Sequence, residues 1–253
     1  MNTPPEINRE SQVKSKERVQ KHGEVFTPQW VVCDMLDLLP DEVWQPEKTF
    51  LEPACGEGAF LTEIYRRKLV VSTTLNNHST TLNNHLTTLN DHPTTLDDQS
   101  EWEWQAAIAT SSIYGIELLE DNAKQCRLNL TEVFNDFYRR HFPDTANETF
   151  IETVQFLINS NIIQGNALTR RKCSLSCGNE CTECEMIVFS EWTPLANQRF
   201  KRRDYTYEGI INADTIRKND EGKLFEMVFS KEEHGLIKEY KPVNYKEIQY
   251  AKD

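Results

Sequence analysis

Apolar residues follow two different spacings along the chain. Short apolar runs within residues 50–52, 112–119, 162–168 and 186–189 are typical of buried strands. Between these runs, apolar residues recur at helical spacing, as in the series Ala123, Cys126, Leu130, Phe134 and Phe137. Strands that alternate with helices in this order predict an α/β fold with a doubly wound, mainly parallel sheet.

One segment interrupts the alternation. Residues 72–100 contain four near-identical heptads, STTLNNH, STTLNNH, LTTLNDH and PTTLDDQ. A single leucine per heptad cannot form a coiled-coil seam, and regularly spaced histidines in a polar tract have no neighbours to orient them on a metal. We therefore expect a flexible, low-complexity insertion on a surface loop. The predicted organisation is a polar tail at 1–15, one domain at 16–230 containing this insertion, and a charged tail at 231–253.

The composition restricts the partners and the compartment. The chain has 253 residues, a formal net charge of -12 and a pI near 5.1, which argues against an autonomous DNA-gripping protein. Two basic clusters, 170–172 and 199–203, flank the fourth apolar run, and solvated surface charge is the commoner explanation for each. The sequence contains neither a membrane-length apolar run nor an apolar opening segment, which predicts a cytoplasmic protein with no membrane contact and with seven reduced cysteines.

The most informative segment is the glycine turn after the first apolar run. Residues 50–60 predict a strand that ends in Glu52, then a turn with Gly56 and Gly58, then a helix. The glycines permit positive φ and let a ligand approach the backbone. A carboxylate beside the turn suits a cofactor with a cationic amino group, and no dinucleotide or P-loop glycine motif is present.

Two further side chains stand at the ends of the next predicted strands. Glu117 ends the second run and can accept hydrogen bonds from both hydroxyls of a ribose. Asn166 follows the third run and offers both a donor and an acceptor to the edge of an adenine. Sites for an amino acid, a ribose and an adenine along neighbouring strand ends describe S-adenosylmethionine.

Four motifs in this order carry a family resemblance. GEVFTP (23–28), LEPACGEGAF (51–60), IYGIELLEDN (113–122) and QGNAL (164–168) together resemble the N6-adenine DNA methyltransferases of restriction-modification systems. The resemblance implies a Rossmann-like class I methyltransferase that uses S-adenosylmethionine and acts on adenine N6 in DNA. The family more often has Asp at the position of Asn166.

The resemblance also implies roles for individual residues. The Phe-Thr-Pro segment folds over the methionine moiety, and the glycine turn lines the methionine end. The ribose and adenine follow at the second and third strands. The implied cofactor-binding residues are Phe26, Thr27, Pro28, Glu52, Pro53, Ala54, Cys55, Gly56, Gly58, Glu117, Leu118, Asn166 and Ala167.

The catalytic motif of the family is replaced. Enzymes that methylate an exocyclic amine carry an Asn-Pro-Pro-Tyr or Asp-Pro-Pro-Tyr sequence after the fourth strand, and these 253 residues contain neither. At the expected place stand Ser190 and Glu191, which could accept hydrogen bonds from an amine, and Trp192, which could stack on a base. The alternative is a buried strand followed by an ordinary turn.

A cysteine-rich loop is the second feature with chemical content. Cys173, Cys177, Cys181 and Cys184 lie within twelve residues and could surround one structural zinc ion. A cluster of reduced thiols without metal is the equal alternative, and an iron-sulfur cluster is a distant third.

Two functions from different classes remain open at this stage. The first is a DNA adenine methyltransferase subunit that reaches DNA through a separate specificity or target-recognition subunit, because about 60 residues after Pro194 are too few for a DNA-reading domain. The second is a non-catalytic, cofactor-binding or interaction subunit derived from the same fold. An RNA or protein substrate is a third and less favoured possibility.

Overall fold

The computed structural model describes residues 14–22, 24–76, 96–172, 184–214 and 235–251. Its helices are α1 (Lys16–His22), α2 (Gln29–Leu36), α3 (Ala59–Asn76), α4 (Leu96–Ser111), α5 (Glu120–His141), α6 (Glu148–Asn161) and α7 (Tyr207–Asp214), with short 3-10 helices at Asp41–Trp44 and Tyr245–Tyr250. Its strands are β1 (Phe50–Glu52), β2 (Ile113–Glu117), β3 (Ile162–Gln164), β4 (Val188–Leu195), β5 (Arg199–Thr206), β6 (Leu236–Glu239) and β7 (Val243–Asn244). Within these ranges, no helix combines the length and the apolarity that a membrane span requires.

The first three strands form a parallel sheet in the order β1-β2-β3. Phe50 pairs with Ile113, and Gly115 pairs with Ile162 further along the sheet. Because the strands are parallel, their carboxyl ends meet at one edge, where Glu52 stands beside Gly115 and Glu117 beside Gln164. This edge carries the candidate site.

The two faces of the parallel sheet pack against different cores. The helical face contains Ile113 together with the apolar sides of α3, α4, α5 and α6. The predicted stripe of α5 is buried here, from Ala123 to Phe137. Tyr114 and Ile116 point to the opposite face, because side chains alternate along a strand, and pack with residues such as Phe189 and Tyr205.

A second sheet covers this opposite face, and it is antiparallel. Its strands run in the order β4-β5-β6, and β7 also pairs with β5. The predicted parallel pairing is therefore confirmed for β1, β2 and β3, but the described residues do not show a doubly wound sheet, because the antiparallel sheet covers the face opposite α3, α4, α5 and α6. The apolar run at 186–189 leads into β4, which pairs with β5 across residues 188–195 and 199–206 instead of extending the parallel sheet.

Two of the predicted segments overlap helices or strands of the structure. Residues 72–76 belong to α3 and residues 96–100 to α4, and the middle of the insertion predicted at 72–100 lies outside the described residues. The segment predicted as a charged tail at 231–253 contributes β6, β7 and the last 3-10 helix. Tyr245 and Ile248 of that helix are buried in the helical core, which anchors the segment to the domain.

Candidate cofactor-binding site

A cavity of about 410 Å³ opens at the carboxyl ends of β1, β2 and β3. Its walls come from the segment 24–26, the glycine turn, the turn after β2 and the turn after β3. The predicted cofactor residues that line it are Phe26, Pro53, Ala54, Gly56, Glu117, Leu118, Asn166 and Ala167. The predicted residues Thr27, Pro28, Glu52, Cys55 and Gly58 lie in the same segments but not in the lining.

The lining also contains residues that sequence reasoning did not select. They are Glu24, Val25, Leu119, Asn122, Gly165 and Leu168. Each lies inside or next to one of the four motifs, so the signal was their position in the motif.

The glycine turn adopts backbone conformations that other residues rarely accept. Gly56 has a φ of +54° and Gly58 a φ of +88°. A Cβ on Gly58 would also lie 2.7 Å from the Sγ atom of Cys126, so this position needs glycine for space as well as for conformation. The turn is tied to the sheet by a hydrogen bond from the N–H of Cys55 to the carbonyl oxygen of Ile116, at 3.0 Å.

Glu117 joins the glycine turn to the end of β2. Its side chain is buried, and its Oε2 atom accepts a hydrogen bond from the N–H of Gly56 at 2.9 Å. Its Oε1 atom accepts one from the N–H of Leu119, also at 2.9 Å. Each carboxylate oxygen can accept a second hydrogen bond, so the residue can hold the turn and still accept from a ligand in the cavity.

Glu52 is the last residue of β1, directly before the glycine turn, and it does not line the cavity. Burial raises the pKa of its carboxyl above the ordinary value, and a hydrogen bond from the N–H of Ala54 opposes this shift. Its predicted contact with the cationic amino group of a cofactor stays a prediction.

The amide oxygen of Asn166 is hydrogen-bonded within its own loop. The Oδ1 atom accepts hydrogen bonds from the N–H groups of Leu168 at 2.9 Å and Thr169 at 3.3 Å. Because an amide nitrogen cannot accept these bonds, the orientation of the side chain is determined, and the Nδ2 donor is the group left for a ligand. The backbone of Asn166 pairs with that of Arg171, which closes the loop.

The charge of the lining restricts the ligand. Glu24 and Glu117 contribute carboxylates, of which that of Glu24 is already paired with Arg18 outside the lining, and none of the described lining residues is a lysine, arginine or histidine. A carboxylate-lined cavity of this volume suits a small cationic molecule and disfavours a pyrophosphate. The sulfonium and ammonium groups of S-adenosylmethionine fit this charge.

The three predicted catalytic residues lie in β4, outside the cavity lining. Ser190 and Trp192 are buried. The hydroxyl of Ser190 donates to Asp204 at 2.8 Å, and the indole N–H of Trp192 donates to Asn161 at 3.2 Å. Glu191 is half-buried beside Arg203, and burial raises the pKa of its carboxyl. The hydroxyl oxygen of Ser190 also accepts a hydrogen bond from Arg202 at 3.1 Å, and the ring of Trp192 packs against Phe156, Phe200 and Arg202, so the groups that were expected to meet a base are occupied.

The predicted cysteine cluster falls largely outside the described residues. Cys173, Cys177 and Cys181 belong to a range that the structure does not describe. Cys184 is half-buried, and its carbonyl oxygen accepts a hydrogen bond from Arg171. Within the described ranges, no group of histidine, cysteine and acidic side chains could hold a metal ion.

The two basic clusters are paired with nearby carboxylates. Among the described residues, five of their side chains form ion pairs: Arg170 with Glu208, Lys172 with Glu185, Lys201 with Glu239, Arg202 with Asp204, and Arg203 with both Glu191 and Glu239. Locally compensated charge offers little net attraction to a phosphate backbone.

Comparison with known proteins yields a match to a protein-family model. A family model described as N-6 DNA Methylase matches residues 12–152, which is more than half of the 253 residues. The matched range contains the segment before α2, the glycine turn and the end of β2, and it stops before Asn166. Neither the curated proteins nor the solved structures include a match.

Proposed function

The chain belongs to the N-6 DNA methylase family, and from that premise we propose that it binds S-adenosylmethionine and methylates the N6 amine of adenine in DNA, as part of a restriction-modification system. One observation carries the proposal. Gly56, Glu117 and Asn166, which are far apart in the sequence, line one cavity whose charge suits this cofactor. Family membership supports a DNA methyltransferase in general, and the cavity supports the choice of cofactor.

The lining residues have distinct roles in this proposal. Glu117 accepts hydrogen bonds from the ribose hydroxyls through the lone pairs that its backbone partners leave free. The Nδ2 atom of Asn166 donates to the adenine. Phe26 lies beside Gly56, with its ring 3.9 Å from the position of a Cβ there, and covers the methionine end.

The reaction in this proposal is a single displacement. The cofactor, when bound, would supply an electrophilic methyl group: a nitrogen–carbon bond to the adenine amine would form as the carbon–sulfur bond breaks, S-adenosylhomocysteine would leave, and the methylated amine would lose one proton to water. The contribution of the chain is to align donor and acceptor and to exclude water. The catalytic roles of Ser190, Glu191 and Trp192 stay predictions, and the internal contacts of Ser190 and Trp192 give them no support.

The same contacts favour a second candidate function. If β4 is a structural strand, the chain binds the cofactor but does not itself present an acceptor to the target amine. The second candidate is therefore a non-catalytic, cofactor-binding subunit derived from the methyltransferase fold. In both cases DNA is reached through a separate specificity subunit, which the net charge of -12 and the compensated basic clusters support.

Two measurements on the purified chain test these functions. Titration calorimetry measures S-adenosylmethionine binding, and mass spectrometry of nucleosides measures N6-methyladenine in unmethylated plasmid DNA. The DNA assay is run with the chain alone and with any subunit that co-purifies with it. Binding with methyl transfer supports the first function, and binding without transfer supports the second. Failure to bind the cofactor contradicts both.

A further inference from the structure

A network of charged and amide side chains connects the start of the described chain to the cavity wall. It consists of Lys14, Arg18, Glu24, Asp121 and Asn122, and we refer to it as the ionic latch. Arg18 lies in α1 and Glu24 two residues before the Phe-Thr-Pro segment, whereas Asp121 and Asn122 lie in the first turn of α5. Its two halves are therefore about one hundred residues apart in the sequence.

Arg18 is the centre of the ionic latch. Its guanidinium group bonds both oxygens of Glu24, with an Nη2–Oε1 distance of 2.7 Å, and both oxygens of Asp121, at 2.8 and 3.1 Å. Such two-pronged pairs fix the relative orientation of the groups as well as their distance. The hydrogen bond from Arg18 lowers the pKa of Glu24 and lowers that of Asp121 to about 2, so both partners are charged at neutral pH.

Asn122 and Lys14 complete the connection. The Nδ2 atom of Asn122 donates to Glu24, and its Oδ1 atom accepts a hydrogen bond from Lys14 at 2.6 Å. Lys14 also pairs with Glu57 of the glycine turn at 2.6 Å. The latch thus joins the lead-in helix α1, the segment before α2, the glycine turn and the start of α5.

The segment held by the latch has few other restraints. Residues 24–28 have no regular secondary structure. In the described part of the chain, no backbone hydrogen bond involves residues 24–27. Glu24, Val25 and Phe26 nevertheless form one wall of the cavity. The position of this wall therefore depends on side-chain contacts. Among these, Glu24 makes the largest number of polar contacts, with Arg18 and Asn122.

We propose that Arg18 is a positioning residue, and that the ionic latch holds the 24–28 segment closed over the bound cofactor. This inference rests on the proposed cofactor-binding function. Arg18 does not line the cavity, so it acts on the ligand through Glu24 and the wall that Glu24 anchors. Loss of the latch lets this wall open and shortens the residence time of the cofactor.

The exposure of the latch makes its effect sensitive to salt. The side chains of Arg18 and Asp121 are 26% and 53% exposed, so dissolved ions reach the pair, whereas that of Glu24 is only 8% exposed. Screening between exposed charges is strong at high ionic strength. The wild-type dissociation rate should therefore rise with salt toward the rate of a protein without the latch.

The test compares three variants of the full chain by stopped-flow measurement of S-adenosylhomocysteine dissociation. Arg18→Met removes the charge and keeps much of the aliphatic chain. Arg18→Lys restores the charge without the planar fork. Arg139→Met is the matched control, because Arg139 of α5 forms an exposed pair with Glu148 of α6 and does not line the cavity.

We expect Arg18→Met to increase the dissociation rate by about tenfold at about 50 mM salt, with little change in the association rate or in the thermal midpoint. Arg18→Lys should recover part of the loss, and the control should match the wild type. At high salt, the wild-type rate should approach that of Arg18→Met. Hydrogen exchange at the amides of residues 24–27 in the presence of ligand should be faster in Arg18→Met than in wild type.

Different results separate this inference from the proposed function. If wild type binds and Arg18→Met dissociates at the same rate with unchanged exchange at 24–27, the latch has no role in retention and the inference is wrong. A wild-type chain that binds neither S-adenosylmethionine nor S-adenosylhomocysteine overturns the proposed function and, with it, this inference.

Discussion

Replacement of Glu117 by alanine tests the site at its most connected residue. The variant removes the acceptor of two backbone N–H groups, those of Gly56 and Leu119, both held at 2.9 Å. It also removes the proposed acceptor of the ribose hydroxyls. Hydrogen bonds to a charged group contribute roughly 1.5–3 kcal/mol each, so cofactor binding should weaken by at least about 1.5 kcal/mol, or about tenfold in Kd.

The loss of binding must be separated from a loss of stability. Urea unfolding of the free protein should show a decrease of about 2 kcal/mol or more, because two N–H groups lose their acceptor. Titration calorimetry is then carried out at a temperature where circular dichroism shows both proteins folded. Glu120→Ala is the matched control, since Glu120 is exposed in the first turn of α5 and carries the same charge.

The two variants should differ in their affinity for S-adenosylmethionine. The control should bind with a Kd within about twofold of wild type, whereas Glu117→Ala should show the full loss. If folded Glu117→Ala binds as tightly as wild type, Glu117 does not hold the ribose and the reasoning from the strand ends is refuted.

Three further predictions concern single residues of the site and its support. Gly58→Ala should lower the free energy of unfolding by at least about 2 kcal/mol, because Gly58 has a positive φ and the new Cβ would lie 2.7 Å from the Sγ atom of Cys126. In urea titrations, adding Cys126→Ala to this variant should recover part of the loss. A Gly58→Ala protein as stable as wild type would contradict the predicted contact between the Cβ and Cys126. Asn166→Asp should keep the hydrogen bonds from the N–H groups of Leu168 and Thr169 but replace the Nδ2 donor by an acceptor. Calorimetry should therefore show that S-adenosylhomocysteine binding is weakened by about fivefold or more. Tighter binding would mean that the adenine amino group, and not a ring nitrogen, contacts this side chain. Lys68→Met should reduce the stability by about 2 kcal/mol or more. The buried Nζ atom of Lys68, whose pKa burial lowers to about 7, lies within hydrogen-bonding distance of three carbonyl oxygens and of the hydroxyl oxygen of Ser112, and these acceptors lose their donor. An unchanged urea midpoint would contradict this role.

The parts of the site that sequence reasoning located are those specified by local pattern. Gly56 belongs to a strand-turn-helix sequence, and Glu117 and Asn166 each follow a short apolar run. Parallel strands bring their carboxyl ends to one edge, so the order of the motifs was enough to predict that these residues are neighbours.

The parts that were missed depend on contacts between distant segments. The run at 186–189 is apolar enough for either sheet, and only its partners make β4 an antiparallel strand. Trp192 was predicted to stack on a base as an aromatic residue after the fourth apolar run, but its ring is buried against Phe156 and Phe200 in the interior. Arg18 and Asp121 carry no local pattern that predicts their pairing across the fold.

The C-terminal segment shows the same limit. Its composition is charged, and Tyr245 and Ile248 are too few to reveal a helix by periodicity. Tyr245 nevertheless packs against Phe150 and Trp104, and its hydroxyl donates to the buried Glu103 at 3.0 Å. Tertiary packing, and not local propensity, orders this short segment.

A crystal structure of the chain with S-adenosylhomocysteine tests the central claim most directly. The account predicts the nucleoside in the cavity at the ends of β1, β2 and β3, with its ribose hydroxyls on Glu117, its adenine at Asn166 and its amino acid end beside Gly56. Density for the ligand elsewhere on the protein, or the reverse orientation with adenine at the glycine turn, would contradict it.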